Sequence, residues 1–272
     1  MKVTSSSVDG SIKLLQITDT HLFEANDGSL LSVNTADSFD AVVNAIVKQN
    51  SNYEAILATG DISQDHSAAS YQRFEKGVSK LNKVCFWLPG NHDYRPSMDS
   101  VLSSSRIQYV EHLLLGEHWQ MIVLDSQVEG VPHGRLSDEQ LALLVDKLSC
   151  YSQRHTLILL HHHPLLIGSA WLDQHALKDS ERFWDIVESH SNVKAVLCGH
   201  VHQDVDTYRN RVRVMATPST CVQFKPRSDD FAVDNHSPGW RELLLCPSGN
   251  LTTEVKRLAI GSFMPDFTSS GY

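Results

Sequence analysis

Short apolar segments alternate with amphipathic helical patterns through most of the chain. Apolar runs of strand length occupy residues 13–18, 54–59, 84–88, 119–124, 156–160 and 193–198. Between them, apolar side chains recur at helical spacing and predict helices over Thr35–Gln49, 67–81, 137–148 and Ser180–Ser189. This alternation is typical of a layered α/β domain.

The last seventy or so residues have a different pattern, with short strands separated by Pro, Gly, Asn and Asp. Strands are predicted over 207–215, 220–224, 241–246 and 252–258. Because no linker interrupts the chain, we expect one domain over residues 12–272. The polar, serine-rich segment 1–11 is expected to be a disordered N-terminal tail.

Polar residues of unusual type follow the predicted strands. They are Asp19 and His21 after the first, Asp61 after the second, Asn91 and His92 after the third, His161 to His163 after the fifth, and His200 and His202 after the sixth. Ligands of open α/β sheets bind beyond the carboxyl ends of the strands. We therefore expect these side chains to meet at one edge.

The chemistry of this set points to metal binding. The chain has 15 histidines, one more than its 14 glycines, and histidine is the commonest metal ligand. Carboxylate, imidazole and amide donors without thiolates suit Mn²⁺, Fe²⁺ or Zn²⁺. A hydrolytic pair of ions about 3.5–4 Å apart needs a bridging carboxylate, for which Asp61 is the natural candidate.

Composition argues against several other classes of protein. No apolar run approaches the roughly 18 residues of a membrane span, and a net charge of −9 disfavours nucleic-acid binding. The five cysteines are widely spaced and odd in number. That pattern favours reduced thiols and a cytoplasmic protein.

The ordered motifs resemble the calcineurin-like metallophosphoesterase superfamily. They are DTH at 19–21, GD at 60–61, GNHD at 90–93, HHP at 162–164 and GHVH at 199–202. Longer phrases, including WLPGNHDY, LDSQVEGVPHGRLS and ATPSTCVQFKP, resemble the bacterial class III 3′,5′-cyclic-AMP phosphodiesterases over nearly the whole chain after the tail. The resemblance implies a layered β-sandwich, two mixed sheets flanked by helices, with a metal site at the carboxyl ends of the strands.

The resemblance also implies the ligands of two divalent ions, Fe²⁺ and/or Mn²⁺, with Zn²⁺ an open alternative. One ion would be held by Asp19, His21, Asp61 and His202, and the second by Asp61, Asn91, His162 and His200. His162 is chosen because the family ligand lies two residues before the proline. Since alternate side chains of a strand point to opposite faces, His161 and His163 are expected to point elsewhere and to have supporting or packing roles.

His92 resembles the family histidine that stabilises the phosphoryl oxygens or protonates the leaving oxygen, and Asp93 is expected to orient it. Together these two form the predicted catalytic pair. Substrate contacts are expected from His21, Asn91, His92 and His202.

The implied function is hydrolysis of cyclic AMP to 5′-AMP, with a metal-bound hydroxide as nucleophile, which would lower the cellular cyclic nucleotide. The expected partner is thus a small molecule. Two alternatives stay open: a phosphoesterase for another phosphodiester or phosphomonoester, and a non-catalytic scaffold that retains the fold. Segment 171–175 is either a wall of the nucleotide pocket or an amphipathic loop, and segment 217–220 either reaches the pocket or forms a turn.

Overall fold

The alternating segments fold into two β-sheets, as a computed structural model that describes residues 1–271 shows. The strands are β1 (Lys2–Val3), β2 (Ile12–Ile17), β3 (Ser29–Leu30), β4 (Val33–Asn34), β5 (Ala55–Thr59), β6 (Val84–Leu88), β7 (Ile107–Tyr109), β8 (His112–Leu115), β9 (Trp119–Val123), β10 (His155–Leu159), β11 (Val193–Cys198), β12 (Val205–Arg209), β13 (Val212–Ala216), β14 (Gly239–Leu245) and β15 (Leu251–Arg257). The helices are α1 (Thr35–Gln49), α2 (Ala68–Ser79), α3 (Arg95–Val101), α4 (Asp138–Cys150), α5 (Ala170–Asp173) and α6 (Ser180–Ser189).

Both large sheets are mixed. The six-stranded sheet has the order β15-β14-β2-β5-β6-β7, in which β2, β5, β6 and β7 run parallel and β14 is antiparallel to its neighbours. The seven-stranded sheet has the order β1-β8-β9-β10-β11-β13-β12, with a parallel centre from β9 to β13. Strands β3 and β4 form a separate small hairpin.

The two large sheets pack face to face. Leu57 and Phe86 of the six-stranded sheet share one buried apolar cluster with Met121 and Leu157 of the seven-stranded sheet. Burial of such side chains from water is the main favourable term in folding. The layered sandwich that the sequence predicts is therefore confirmed.

Helices cover the outer faces of both sheets. Helix α1 begins where the Asn34 side chain accepts the Asp37 N–H, ends at Asn50 in the left-handed conformation, and buries Phe39 against the six-stranded sheet. Leu144 of α4 and Trp184 of α6 are buried against the other sheet. No helix within residues 1–271 has both the length and the apolar character that a bilayer crossing requires.

Three segments differ from the sequence-based expectations. Residues 207–215 contribute to two strands, β12 and β13, which turn at Asn210 with a positive φ of 51°. Residues 220–224 form an irregular loop instead of a strand: Phe224 makes an isolated antiparallel bridge with Val233, and the apolar side chains of the loop are buried in the core. Within segment 1–11, Lys2–Val3 pairs with Leu114 and Leu115 at a sheet edge; the division into a tail and one domain stays a prediction.

Candidate metal centre

The loops that carry the predicted ligands are joined by backbone hydrogen bonds. The Asp19 N–H donates to Gly60 O (3.0 Å), and the His21 N–H donates to Asp61 O (2.9 Å). From the opposite sheet, the His200 N–H donates to Asp19 Oδ1 (3.0 Å). The centre therefore lies where the carboxyl ends of both sheets meet.

Five residues of these loops have a left-handed backbone. Their φ values are 53° at Asp19, 45° at His21, 50° at Asp61, 71° at His200 and 49° at His202. Positive φ is uncommon outside glycine. Such residues persist only where the surroundings hold them, and they cluster at functional sites.

One group of donors comprises Asp19, His21 and His202, all buried, with ligand atoms within 4.8 Å of one another. His21 Nε2 lies 3.1 Å from His202 Nε2, and His202 Nε2 lies 3.5 Å from Asp19 Oδ1. The Nδ1 atoms of the two histidines contact Gln64 Oε1 (2.6 Å) and Val222 O (3.0 Å), respectively. Such contacts orient imidazole ligands.

A second group comprises His161, His162 and His200. His162 Nδ1 contacts Ser126 Oγ at 2.8 Å. Within the described chain, His162 Nε2 and both ring nitrogens of His200 are buried and have no hydrogen-bond partner. Because buried polar atoms are nearly always satisfied, these nitrogens are suited to a group that accepts their lone pairs.

The ionisation of the buried histidines also suits metal binding. Burial lowers the pKa of His21 to about 3, and burial together with neighbouring histidines lowers the pKa of His162 and His200 well below the ordinary value. Neutral imidazole is the form that binds metal ions. For Asp61, burial opposes ionisation, but His161 and His92 outweigh it and hold the pKa well below its usual range.

His161 does not point where the alternation rule predicts. Its Nε2 lies 3.2 Å from Asp61 Oδ2 and 3.1 Å from Asn91 Oδ1, and its ligand atom lies within 4.8 Å of those of His162 and His200. The expected direction is wrong because β10 ends at Leu159, so strand alternation no longer applies; a supporting role for His161 stays a prediction. His163 does turn away, with Nε2 3.3 Å from Asp173 Oδ1.

The predicted catalytic pair lies beside Asp61. The His92 N–H donates to Asp61 Oδ1 (2.8 Å), and the His92 ring is edge-on to His21 with centroids 5.0 Å apart. The Asp93 carboxylate accepts the N–H groups of Ile62 (3.0 Å), Ser63 (3.0 Å) and Gly90 (2.9 Å), and also the Tyr71 hydroxyl. Asp93 thus joins the loops after β5 and β6, and its role in orienting His92 stays a prediction.

Two glycines let chain segments approach the ligands. A Cβ at Gly90 would lie 2.1 Å from Asp61 Oδ1, and one at Gly134 would lie 2.4 Å from His162 Cγ. Sequence reasoning singled out neither Gly134 nor the supporting residues Ser126 and Gln64. The only signal for Gly134 and Ser126 was their presence in the phrase LDSQVEGVPHGRLS.

A cleft of about 460 Å³ opens beside the centre. Asn91, His92 and His200 line part of it, and Trp171 and His175 line another part, so segment 171–175 is a wall of the cleft. From the sequence, segment 217–220 is expected either to reach the pocket or to form a turn. The structure shows a different contact: Ser219 Oγ donates to Asp19 O (2.7 Å), so this segment supports the loop that carries Asp19.

The side chains present fit a site for divalent ions. Asp61 belongs to two groups of donors whose ligand atoms lie within 4.8 Å of one another. One group contains Asp19 and His161, and the other contains His21 and His92. Asp61 therefore lies between the two sets of histidines, where a bridging carboxylate is needed. Buried imidazoles, two of which offer ring nitrogens with no hydrogen-bond partner among the described residues (His162 and His200), together with oxygen donors match borderline metals such as Mn²⁺, Fe²⁺ and Zn²⁺.

The chain is similar to known proteins over its full length. A relative from Vibrio vulnificus, named 3′,5′-cyclic adenosine monophosphate phosphodiesterase CpdA, is 64% identical over 274 residues, with 100% of both chains covered. The protein of the same name from Escherichia coli K12 is 49% identical, with 97% of this chain and 96% of the relative covered.

Among solved structures, a dimetal phosphatase from Danio rerio has a TM-score of 0.62 at 16% identity, covering 89% of this chain and 98% of that one. This likeness concerns the fold. The sequence model described as calcineurin-like phosphoesterase matches residues 12–204, which include every predicted ligand. The chain therefore belongs to the calcineurin-like phosphoesterase family.

Proposed function

We propose that this chain hydrolyses the 3′-ester bond of cyclic AMP and releases 5′-AMP. Support comes from relatives that carry this activity in their names and match over the full chain. The observation that carries the proposal is the buried constellation around Asp61, which opens into a cleft of about 460 Å³. Small-molecule clefts typically measure about 300–1,000 Å³.

Asp19, His21, Asp61 and His202 would hold one divalent ion, and Asp61, Asn91, His162 and His200 would hold the second. Ions bound there would lower the pKa of a water molecule to about 7 and would offset the charge of the phosphoryl oxygens. We propose Fe²⁺ or Mn²⁺, with Zn²⁺ also compatible, because the donor set contains no thiolate.

His92 is the proposed proton donor. Its backbone N–H donates to Asp61 Oδ1 and the residue lines the cleft, which supports a position for the imidazole beside the scissile phosphate. In the proposed reaction it stabilises the phosphoryl oxygens or donates a proton to the departing 3′-oxygen. General acids of this kind contribute about 10²–10⁴-fold to a rate.

The local charge of the centre suits an anionic substrate. The chain carries a net charge of −9, yet two divalent ions would outweigh the negative charges of Asp19 and Asp61. Bound cations are the largest local charges in such sites. A cyclic phosphodiester would therefore be attracted despite the acidic chain.

A substrate panel tests the proposal. The metal-reconstituted protein is assayed with cyclic AMP, cyclic GMP, a glycerophosphodiester and a phosphopeptide, beside Asp61→Ala, His92→Ala and the exposed control His118→Ala. We expect fastest turnover of cyclic AMP, loss of activity in the first two variants and full activity in the control. Faster turnover of a non-cyclic substrate would contradict the proposal.

We further propose a cytoplasmic location. The cysteines at 85, 150, 198, 221 and 246 are all free thiols, and those at 85, 198 and 221 are buried. Free thiols persist in reducing compartments. Fractionation of cells that express the untagged chain tests this, and recovery outside the cytoplasmic fraction would contradict it.

A further inference from the structure

Aromatic side chains are concentrated on one side of the cleft. Trp171, His175 and Phe231, which we call the aromatic wall, all line it. The Trp171 ring is edge-on to that of Phe231 (centroids 5.1 Å apart, 67° between planes) and to that of His175 (6.4 Å, 87°). The three rings therefore form one contiguous surface.

The remaining lining of this part of the cleft is also uncharged. Val131 and Pro132 line the same cavity, and none of the described residues that line it is Asp, Glu, Lys or Arg. Aromatic and proline faces without charges suit a flat heteroaromatic ring, because aromatic side chains stack on bases of any sequence. A small phosphodiester without a ring would leave this surface unused.

The wall has a fixed position relative to the centre. Phe224 stacks on the predicted ligand His202 with centroids 4.2 Å apart and 8° between the planes, and Trp171 packs edge-on against Phe224 at 5.0 Å. Trp171 belongs to the short helix α5, and Asp173 of that helix accepts the N–H groups of Ile167 (2.9 Å) and Gly168 (3.0 Å). Two ring contacts thus join the wall to His202.

We propose that Trp171 and Phe231 bind the nucleobase of the substrate and make the enzyme select phosphodiesters that carry a nucleoside. This rests on the proposed function, since it assigns the base-binding part of the same cleft. The scissile phosphate is held at Asn91, His92 and His200, and the base extends along the cleft to the wall. Both residues determine specificity, and neither takes part in the bond-breaking step.

The test compares a nucleotide with a substrate that lacks a base. Trp171→Ala and Phe231→Ala are assayed with cyclic AMP and with glycerophosphoethanolamine, a phosphodiester without a ring, beside Tyr208→Ala, which removes an exposed aromatic side chain of β12 outside the cleft. Stacking supports a loss of about 5- to 100-fold in kcat/KM for cyclic AMP, mainly through KM. We expect kcat/KM for the small substrate to change less than twofold, and Trp171→Phe to restore most of the loss.

A binding measurement tests the base-binding role of the wall independently of the proposed hydrolysis of cyclic AMP. Inhibition by 5′-AMP and by ribose 5-phosphate is measured with the small substrate; we expect both alanine variants to weaken inhibition by 5′-AMP alone. Equal losses for both inhibitors, or no loss for either, would overturn the base-binding role. A wild type that does not hydrolyse cyclic AMP, but whose 5′-AMP inhibition depends on Trp171, would overturn the reaction and retain the base-binding wall.

Discussion

At the scale of residues, three consecutive histidines have three different surroundings. His161 contacts Asp61 and Asn91, and His163 contacts Asp173. His162 contacts Ser126 through Nδ1, and its Nε2 has no hydrogen-bond partner among residues 1–271. Burial opposes the charged form of His161, but Asp61 and Asp19 outweigh it and raise its pKa to about 9. One run of identical residues therefore supplies different chemistry at each position.

Asn91 tests the partition of the ligands. We expect Asn91→Ala to weaken the second ion more than the first, because only the second would lose a donor. Metal analysis after dialysis should give close to one equivalent of metal, against two for the wild type and for the exposed control Asn235→Ala. Two full equivalents in Asn91→Ala would contradict the partition.

Asp93 tests the link between the loops after β5 and β6. Its removal leaves the N–H groups of Ile62, Ser63 and Gly90 without their acceptor, and each unsatisfied buried group costs about 1–3 kcal/mol. We expect Asp93→Ala to lower the free energy of unfolding of metal-free protein by at least about 2 kcal/mol. Urea denaturation measures this, with the exposed Asp229→Ala as control; equal stability of the two variants would refute the role.

At the scale of elements, the sequence predicts the strands better than the loops that follow them. Apolar runs identify β2, β5, β6, β9, β10 and β11, and the polar residues after them identify the candidate site. The left-handed backbone at Asp61 and His200 has no such signal, because only a small fraction of aspartate and histidine residues adopt it and their residue type alone does not identify which ones. The apolar residues of loop 220–224 predict a strand. They are apolar because the loop is buried beneath His202, and a buried loop has the same apolar sequence pattern as a buried strand.

Gly90 tests the close approach of two loops. A methyl group there would collide with Asp61 and displace the proposed bridging carboxylate, and misplacement of about 1 Å can cost about 100-fold in rate. We expect Gly90→Ala to lower kcat/KM by at least about that factor. Gly261→Ala is the control, since it adds a Cβ at a glycine with a left-handed backbone (φ 85°) where that atom meets no other within 4 Å, so it carries backbone strain without a collision; similar activity in both variants would exclude the steric argument.

The ion pairs of Glu242 on β14 with β2 and β15 predict that the stability of the protein depends on pH. Its carboxylate accepts the Tyr53 hydroxyl and lies 3.1 Å from Lys13 Nζ on β2 and 2.9 Å from Lys256 Nζ on β15. Burial alone would raise the pKa of Glu242, but hydrogen bonds from Tyr53, Lys256 and Lys13 outweigh it and hold the pKa below the ordinary 4.5. The stabilisation is therefore present above pH 4.5 and is lost as the pH falls through the lowered pKa.

We expect Glu242→Gln to lower the free energy of unfolding at pH 7 by about 1–2 kcal/mol. The difference from wild type should shrink as the pH falls below 4.5, because the wild-type carboxylate is then protonated. Urea titrations across this range measure it, with Glu254→Gln, exposed by 70%, as the control. A difference in the free energy of unfolding that grows as the pH falls would contradict the predicted direction.

At the scale of the whole molecule, the centre depends on contacts between sheets. Asp19 follows β2 of one sheet, and His200 follows β11 of the other, yet the His200 N–H donates to the Asp19 carboxylate. Local patterns place each residue at a strand end, but they do not say which ends meet. Only the family resemblance predicts that the loops after β2 and β11 meet. In the structure they meet because the two sheets pack together through side chains such as Leu57 and Met121.

The central claim is that two ions held around Asp61 make this chain a cyclic-AMP phosphodiesterase. Its most direct test is titration of metal-depleted protein with Mn²⁺, following bound equivalents and the release of 5′-AMP from cyclic AMP together. We predict little activity at one equivalent, a steep rise as the second binds, and none in Asp61→Ala. Full activity at one equivalent or without metal, or no 5′-AMP at two equivalents, would contradict the claim.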